Sequence, residues 1–273
     1  MSVHDSALGQ ATDYPTQYDP SILFPIARAE GRAALGASAP AAISQGVDVW
    51  HVFELSWFDE VGKPMVAIGR ITVPAHSPNL IESKSLKLYF NSLNFKHFAN
   101  EAALNELVVQ DLSKAAGASV QFELLNVDDL ATHLPQGICL DELDMTVSPA
   151  PNEPDANLLT FDSNEIVEEI LYSNLLRSNC PVTGQPDWGT IFIRYRGAKL
   201  SHASLLTYLI SYRQHSGFHE QCVEQIFADI WQMIKPETLA IHAQYTRRGG
   251  LDINPCRSSD PLWLPKVTRL ARQ

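Results

Sequence analysis

The sequence predicts an α+β fold in which two similar halves follow one another along the chain. Segments rich in β-branched and aromatic residues alternate with segments of helical periodicity, and a pair of helices separates the strands in each half. Of the 273 residues, 45% are hydrophobic and 19% are charged, which is typical of a globular protein. Because helices placed between antiparallel strands pack on one face of a sheet, we expect antiparallel sheets with two helices on one face of each.

The first half is predicted to have the order β-β-α-α-β. Residues 1–40 lack strong periodicity and form an N-terminal extension that covers the surface. Partial alternation with β-branched and aromatic residues indicates strands, and apolar residues three and four positions apart indicate helices. The segments are 47–58 and 64–74 as strands, 79–93 and 100–116 as helices, and 119–127 as a strand.

The second half repeats this order after a linker rich in Pro and Asp at 148–157, so the predicted units are 1–40, 41–147 and 148–273. The segments are a helix-like run at 165–176, a strand at 190–195, helices at 204–213 and 218–234, and a final strand at 238–245. Two helices again separate strands, which indicates an internal duplication although the halves share little literal sequence. An exposed edge on each sheet favours pairing with another subunit.

Charge and composition exclude several classes of protein. The formal net charge of −11 argues against a duplex-binding module, since nonspecific nucleic-acid binding relies on Lys and Arg that neutralise phosphates. We expect no membrane span and no secretory signal, because no apolar run is long enough and residues 1–20 have no basic segment followed by an apolar one. A cytosolic location with free thiols is therefore expected.

The segment SNCPVTGQPDW at 178–188 places a cysteine and an aspartate in a loop rich in residues that break regular structure. Pro181 disfavours helical geometry at Cys180, so we expect its thiol at a helix end or in a loop, where exposure favours reactivity. A buried, inert thiol is the alternative. Asp187, between Pro186 and Trp188, fits a partly shielded general acid, and a turn aspartate is the alternative.

Two further segments carry charged residues at the start of predicted helices. In ESKSLK, Lys84 and Lys87 share a helix face that a phosphate would suit, while Glu82 points elsewhere. A solvated helix end explains the same pattern. His219 and Glu220 open the helix FHEQCVEQIF, where the helix dipole alone accounts for a carboxylate. Recognition of the N–H groups of a purine-like ring is the functional alternative.

The segment YTRRGGLDINP at 245–255 combines arginines with glycines. Arg248 can grip a phosphate while Gly249 lets the backbone approach a ligand closely. A surface turn accounts for it equally well. No GxGxxG motif opens a turn from a strand to a helix, so no Rossmann dinucleotide site is predicted.

Taken together, these motifs resemble the NADPH-dependent 7-cyano-7-deazaguanine reductases, the nitrile reductases of queuosine biosynthesis. The matching segments are ESKSLKLYF at 82–90, SNCPVTGQPDWG at 178–189, FHEQCVEQIF at 218–227 and YTRRGGLDINP at 245–255. The resemblance is to the long form with two halves and covers nearly the whole chain. It implies a tandem tunnelling fold (T-fold), a homodimer, and a site built where the halves meet.

The resemblance also implies an activity and roles for individual residues. The activity is the four-electron reduction of the nitrile of 7-cyano-7-deazaguanine to an aminomethyl group, with NADPH as co-substrate. Cys180 would attack the nitrile carbon to give a covalent thioimide, and Asp187 would donate a proton. The substrate-binding positions would be Ile81, Glu82, Ser83, His219 and Glu220. The NADPH-binding positions would be Ser83, Lys84, Arg248 and Gly249.

Two other functions remain open from the residues alone. One is a zinc-dependent pterin or purine hydrolase or cyclohydrolase of the same fold, with ligands drawn from Cys180, Cys222, His215 and His219. The four cysteines are at least 34 positions apart and show none of the short spacing of zinc sites, so we expect no bound metal. The other is a purine-binding module without catalysis. Cys139, Cys222 and Cys256 receive no role.

Overall fold

The computed structural model describes residues 13–36, 40–128, 130–147, 153–266 and 268–273. The elements of the N-terminal part are β1 (Pro25–Ala27), α1 (Arg28–Ala33), β2 (Gly46–Phe58), β3 (Pro64–Pro74), β4 (Asn79–Ile81), α2 (Ser83–Ser92), α3 (Glu101–Ala116), β5 (Gln121–Leu125), β6 (Thr132–His133) and β7 (Ile138–Cys139). The elements of the C-terminal part are β8 (Phe161–Ser173), β9 (Arg177–Asn179), β10 (Pro186–Leu200), α4 (His202–Ser211), α5 (His219–Ile234), β11 (Thr238–Tyr245), β12 (Leu251–Ser258) and β13 (Arg269–Leu270). Among the described residues, none of the helices combines the length and the apolar character that a bilayer crossing requires.

One large sheet runs through both halves of the protein. Its strand order is β5-β3-β2-β12-β11-β10-β8-β7, and β9 pairs with β10 beside this path. Both halves follow the same order of two antiparallel strands, two helices and a return to the sheet, which confirms the predicted α+β class and duplication. The antiparallel pairing of β12 with β2, from Leu251 opposite Val52 to Arg257 opposite Gly46, joins the two predicted sheets edge to edge.

The helices of each half bury their apolar faces against the sheet and form a separate core there. In the first half, Leu104, Val108 and Leu112 recur at helical spacing on α3 and are fully buried. Asn100 begins this helix, since its side chain accepts a hydrogen bond from the N–H of Ala103, and Gly117 ends it with φ of 72°. In the second half, α4 and α5 pack over β10 and β11 in the same way.

Several predicted elements differ from the observed ones. The helix expected at 79–93 is the short strand β4 followed by α2, and the helix-like run at 165–176 falls largely on strand β8, which pairs with β10 over ten residues. The strand at 238–245 is not the last of the sheet, because β12 follows it. The N-terminal extension also does more than cover the surface, since β1 pairs with β4. The linker predicted at 148–157 lies partly outside the described residues.

A buried ion network crosses the seam between the halves. Arg257 on β12 is fully buried, and its guanidinium contacts Asp48 of β2 at 2.7 Å and Glu224 of α5 at 2.8 Å. Arg28 contacts Asp48 at 2.5 Å, and Arg32 contacts Glu224 at 2.7 Å. Buried charges are tolerated only when they are paired and hydrogen-bonded, so this network fixes α1, β2, β12 and α5 relative to one another.

We expect Arg257→Met to lower the free energy of unfolding by about 3–5 kcal/mol, because it leaves two buried carboxylates with one cationic partner fewer. Urea unfolding followed by tryptophan fluorescence measures the change. The control is Arg196→Gln, which removes an ion pair with Glu237 whose side chains are 56% and 64% exposed. A surface pair of this kind contributes about 0–1 kcal/mol. Equal losses in the two variants would show that the network does not hold the seam.

Candidate active site

Two neighbouring cavities lie over the seam between the halves. The inner cavity is narrow and is lined by residues of both halves, among them Ile81, Ser83, Cys180, Asp187, His219 and Glu220. The outer cleft has a volume of about 610 Å³ and is lined by residues that include Ser83, Lys84, Lys87, His219, Arg248 and Gly249. Ser83, His219 and Arg248 border both cavities, so a ligand in the outer cleft would adjoin one in the inner cavity.

Cys180 lies in a tight turn directly after β9. Its N–H donates to the carbonyl of Gln185 at 2.9 Å, and its carbonyl accepts from the N–H of Gly184 at 3.0 Å. Gly184 has φ of 67°, a left-handed conformation that favours glycine. The expected loop placement is therefore observed, but the expected exposure is wrong, since the residue is only 6% exposed. The turn aims the thiol into the inner cavity instead of into solvent.

Asp187 is part of strand β10 instead of a turn, opposite Ser178 of β9. It is 3% exposed. Its Oδ1 accepts a hydrogen bond from Arg248 at 2.6 Å and lies 3.7 Å from Nε2 of His219. Arg248 also donates to Oε1 of Gln185 at 2.6 Å. Among the described residues these contacts fall on Oδ1 of Asp187, which leaves Oδ2 for a bound group.

The other cysteines differ from Cys180 in their surroundings. Cys222 and Cys256 are fully buried. Burial raises the pKa of Cys222 to about 12 and raises that of Cys256 well above its ordinary value. Since the thiolate is the nucleophile, neither residue is reactive near neutral pH, and neither lines the inner cavity.

Glu82 caps the N-terminus of α2 instead of lying within a helix. Its Oε1 accepts from the N–H of Lys84 at 2.6 Å, and its Oε2 accepts from the N–H of Ser85 at 2.8 Å. The residue is 1% exposed, and burial raises its pKa while the two backbone donors oppose that rise. The cap fixes the carboxyl group at the point where β4 ends. Ile81 and Ser83, on either side of Glu82 in the chain, line the inner cavity, whereas Glu82 is not among its lining residues.

His219 and Glu220 occupy the first turn of α5 and are both buried. Burial lowers the pKa of His219 to about 4, although Asp187 acts in the opposite direction, so the imidazole is neutral at pH 7. Burial raises the pKa of Glu220 to about 7, and Asp48 adds to the rise. Both residues line the inner cavity. A favourable interaction with the helix dipole is therefore not a sufficient explanation for a carboxylate at the position of Glu220.

The outer cleft has the chemistry of a phosphate-binding surface. Lys84, Lys87, Arg247 and Arg248 all line it, and its volume is within the range of about 300–1,000 Å³ usual for ligand sites. Gly249 has φ of 57°, and a Cβ atom there would lie 2.9 Å from the side chain of Lys87. The left-handed backbone therefore favours glycine here, and any side chain would also have to displace the flexible end of Lys87. These residues fit an anionic dinucleotide.

Sequence reasoning missed several residues of this region. Gln185, which holds Arg248, was not selected, and Arg28 and Asp48 beneath Glu220 lie in segments without a motif. Their role depends on contacts between residues distant in sequence, for which a single sequence carries no signal. Within the ranges that the structure describes, no three His, Cys, Asp or Glu residues form a group that could hold a metal ion. The ligand set of the zinc alternative is thus not assembled.

Comparison with known proteins identifies the family. The family model described as "Nitrile reductase, 7-cyano-7-deazaguanine-reductase N-term" matches residues 14–124, and the one described as "QueF-like protein" matches residues 186–261. A curated protein of Acinetobacter baumannii (strain AYE), named NADPH-dependent 7-cyano-7-deazaguanine reductase, is 62% identical over 274 residues, with 100% of both chains covered. The chain belongs to this reductase family. The resemblance indicated by the four motifs is confirmed.

Other comparisons agree with this family or add little to it. A protein of the same name from Acinetobacter baylyi (strain ATCC 33305 / BD413 / ADP1) is 60% identical over 275 residues, again with 100% of both chains covered. A solved structure titled "Crystal structure of the archaeosine synthase QueF-Like in the apo form" covers 34% of this chain and 92% of its own, with 19% identity and a TM-score of 0.30. A similarity that low carries no argument. The family assignment therefore depends on the full-length reductases.

Proposed function

We propose that this protein reduces the nitrile of 7-cyano-7-deazaguanine to an aminomethyl group with NADPH, in queuosine biosynthesis. One observation carries the proposal: Cys180 and Asp187, from a turn and an adjacent strand, line one buried cavity that adjoins a basic cleft. A nucleophile and an acid in one buried cavity suit addition to a carbon–nitrogen triple bond. Relatives at 60–62% identity over the full chain carry the name of this activity.

Cys180 is the proposed nucleophile. Its sulfur forms a bond to the nitrile carbon, one π bond between carbon and nitrogen breaks, and its electron pair goes to nitrogen. The thiol loses one proton and nitrogen gains one, so the product is a neutral thioimide without net proton uptake. This converts a poor acceptor of hydride into a better one. The S–C bond breaks again later in the cycle, and Cys180 emerges unchanged.

Asp187 is the proposed proton donor to that nitrogen, and the proton that the thiol of Cys180 loses returns the carboxyl group to its protonated form. Its position on β10, held by ladder pairing with β9, keeps the carboxyl group in a fixed orientation. Since Oδ1 contacts Arg248, Oδ2 is the oxygen that would reach the substrate. The neutral imidazole of His219, with Nε2 at 3.7 Å from Oδ1, is the next polar group beside Asp187 in the inner cavity.

Substrate recognition falls to Ile81, Glu82, Ser83, His219 and Glu220. A deazaguanine presents ring N–H and exocyclic amino groups, which carboxylates accept well. Oε1 of Glu82 accepts from the N–H of Lys84 and, at 3.4 Å, from Oγ of Ser83, whereas Oε2 accepts from the N–H of Ser85. Since a carboxylate has about four lone-pair sites, Oε2 is the oxygen with a site left for the substrate. Glu220 enters from the opposite half. In this proposal Glu220, which lines the inner cavity, and Glu82, whose chain neighbours Ile81 and Ser83 line it, bind the ring from the two halves.

We assign the outer cleft to NADPH, held by Ser83, Lys84, Arg248 and Gly249. When bound, NADPH supplies hydride, and two equivalents account for the four electrons. Lys84 and Arg248 contribute the positive charge that phosphates require. Gly249 keeps the backbone free of a side chain where the ligand approaches. Ser83 and Arg248, which also border the inner cavity, would keep the two ligands side by side.

The first prediction concerns Cys180. Mixing the protein with 7-cyano-7-deazaguanine in the absence of NADPH should add the mass of one substrate to the chain, and Cys180→Ala should abolish the adduct. Intact-protein mass spectrometry measures it. Cys222→Ala is the matched control and should keep the adduct, because its thiol faces the core. Unmodified wild-type protein that still binds the ligand would favour a binding module without catalysis.

The second prediction separates Asp187 from Cys180. Asp187→Asn should form the adduct only slowly, with water supplying the proton, and should reach the wild-type amount on long incubation, while its turnover, followed as NADPH oxidation, falls about 100-fold or more, since the contribution of general acid catalysis is about 100-fold to 10,000-fold. The amide has the size of the carboxyl group but no acidic proton to donate to the nitrogen. Normal turnover in this variant would remove Asp187 from the proposed role.

We also propose a cytosolic homodimer in which residues 41–147 and 148–273 are the two T-fold units and the second carries Cys180. The edge of the large sheet supports the dimer. The parallel pairing of β7 with β8 involves Leu171 and Tyr172, while Phe161, Ile166 and Ile170 on β8 are 41–62% exposed. Apolar side chains along a sheet edge suit coverage by a second copy. Reducing conditions in the cytosol would keep the free cysteines as thiols.

The third prediction follows from that edge. Light scattering should give twice the 30.3 kDa chain mass for the wild-type protein and a single chain mass for Ile166→Lys, because a buried lysine opposes the contact. Val61→Lys changes an 88% exposed valine in the loop between β2 and β3 and should remain a dimer. A wild-type mass of one chain would exclude the dimer.

A further inference from the structure

The buried ion network extends to the floor of the active site through Arg28. This residue is 4% exposed. Its Nε donates to Oγ of Ser77 at 3.0 Å, and its Nη2 donates to Asp48 at 2.5 Å. Its Nη1 is buried without a hydrogen bond among the described residues and lies 3.8 Å from Glu224. One arm of the guanidinium thus keeps unused donor capacity in the interior.

Glu220 borders the same space as Arg28. A third cavity, smaller than the other two, adjoins the inner cavity, and Arg28, Asp48 and Glu220 all line it. Glu220 also lines the inner cavity together with Cys180 and Asp187. Its carboxyl group therefore has the substrate site on one side and the cationic end of the network on the other.

The segment that carries Arg28 also contacts Glu82, the other carboxylate that is proposed to bind the substrate. Directly before Arg28, β1 pairs with β4, so that Pro25 lies opposite Ile81. The carbonyl of Phe24 accepts from the N–H of Glu82 at 2.9 Å, and the N–H of Phe24 donates to Oγ of Ser85 at 3.0 Å. Five consecutive residues of the N-terminal extension thus reach both Glu82 and the surroundings of Glu220.

We propose that Arg28 is a positioning residue for the reaction, and that its charge holds Glu220 as a carboxylate ready to accept the N–H groups of the substrate. The proposal rests on the substrate-binding role proposed for Glu220. Arg28 itself does not line the inner cavity, so it acts through Glu220. The N-terminal extension would then belong to the substrate site of this enzyme and not only to its surface.

The charges around Glu220 give the direction of the effect. The charged and titratable groups on neighbouring elements are Arg28 on α1, Asp48 on β2 and Arg257 on β12. His219 and Glu224 lie on α5 with Glu220 itself, and Cys180, Asp187 and Arg248 line the inner cavity. Burial and the negative Asp48 raise the pKa of Glu220 to about 7, whereas Arg28 and then Arg257 lower it. Loss of the charge on Arg28 should raise this pKa, and loss of the charge on Asp48 should lower it.

The test measures substrate affinity against pH in a Cys180→Ala background, where no covalent bond forms. Calorimetric titration with 7-cyano-7-deazaguanine should give a Kd that rises about tenfold for each pH unit below about 7, because an ionised Glu220 is required and one pKa unit corresponds to a factor of ten. Glu220→Gln should abolish this dependence. Arg28→Gln should move its midpoint upward by about one pH unit, so that Kd rises about fivefold at pH 7 and about tenfold well below it.

Three further variants distinguish positioning from support of the fold. Arg28→Lys keeps the charge and should restore most of the wild-type midpoint. Asp48→Asn should move the midpoint in the opposite direction, to lower pH, and carries the test if Arg28→Gln does not fold. Arg32→Gln is the matched control, since Arg32 lies on the same helix and binds Glu224 instead. It should lower the Tm and leave the midpoint unchanged.

The possible failures are distinguishable. If the wild-type Kd does not depend on pH, or if Glu220→Gln keeps the dependence, the substrate-binding role of Glu220 is wrong and the proposal for Arg28 is wrong with it. If the dependence exists but Arg28→Gln lowers only the Tm, Arg28 supports the fold alone and the proposed function is unaffected. Equal midpoint shifts in Arg28→Gln and Arg32→Gln would also overturn a specific role for Arg28.

Discussion

The contact of Arg257 with Asp48 and Glu224 is the constraint on which the rest of the structure depends. A guanidinium buried at the junction of the two halves is stable only if both carboxylates remain in place. The positions of β2, β12 and α5 are therefore coupled, and the pairing of β12 with β2 makes two sheets into one. Since α5 carries His219 and Glu220 at its first turn, the same coupling fixes half of the substrate site.

The site uses this rigid seam in a consistent way. Asp187 lies on a strand, Glu82 caps a helix, and Cys180 lies in a turn that two backbone hydrogen bonds close. Regular elements hold functional groups more accurately than mobile loops do. The cationic groups that suit phosphates lie outside, in the larger cleft. Arg248 joins the two regions because it borders both cavities and holds Asp187.

Sequence patterns predicted the parts of the fold that local spacing determines. The strand at 64–74 and the helix at 218–234 were placed within a residue or two, because their periodicity is regular over many residues. The prediction for 165–176 was wrong, since Val167, Ile170 and Leu171 have helical spacing while their partners on β10 are 22 to 30 positions away. β12 was missed because Gly249, Gly250 and Pro255 are typical of loops. Its stability depends on neighbours on both sides, which no local pattern records.

The difference between local patterns and contacts distant in sequence also explains why the loop position of Cys180 did not predict its burial. A breaker-rich loop predicts an accessible backbone, but here the side chain is turned inward, and burial by itself does not make a thiol inert. Cys222 is also buried, but it packs in the apolar core beside the hydroxyl groups of Ser178 and Tyr245, and burial raises the pKa of its thiol. Cys180 borders a cavity that also contains Asp187, His219 and Glu220. Partners that can exchange protons, combined with exclusion of water, distinguish a protected nucleophile from a structural cysteine.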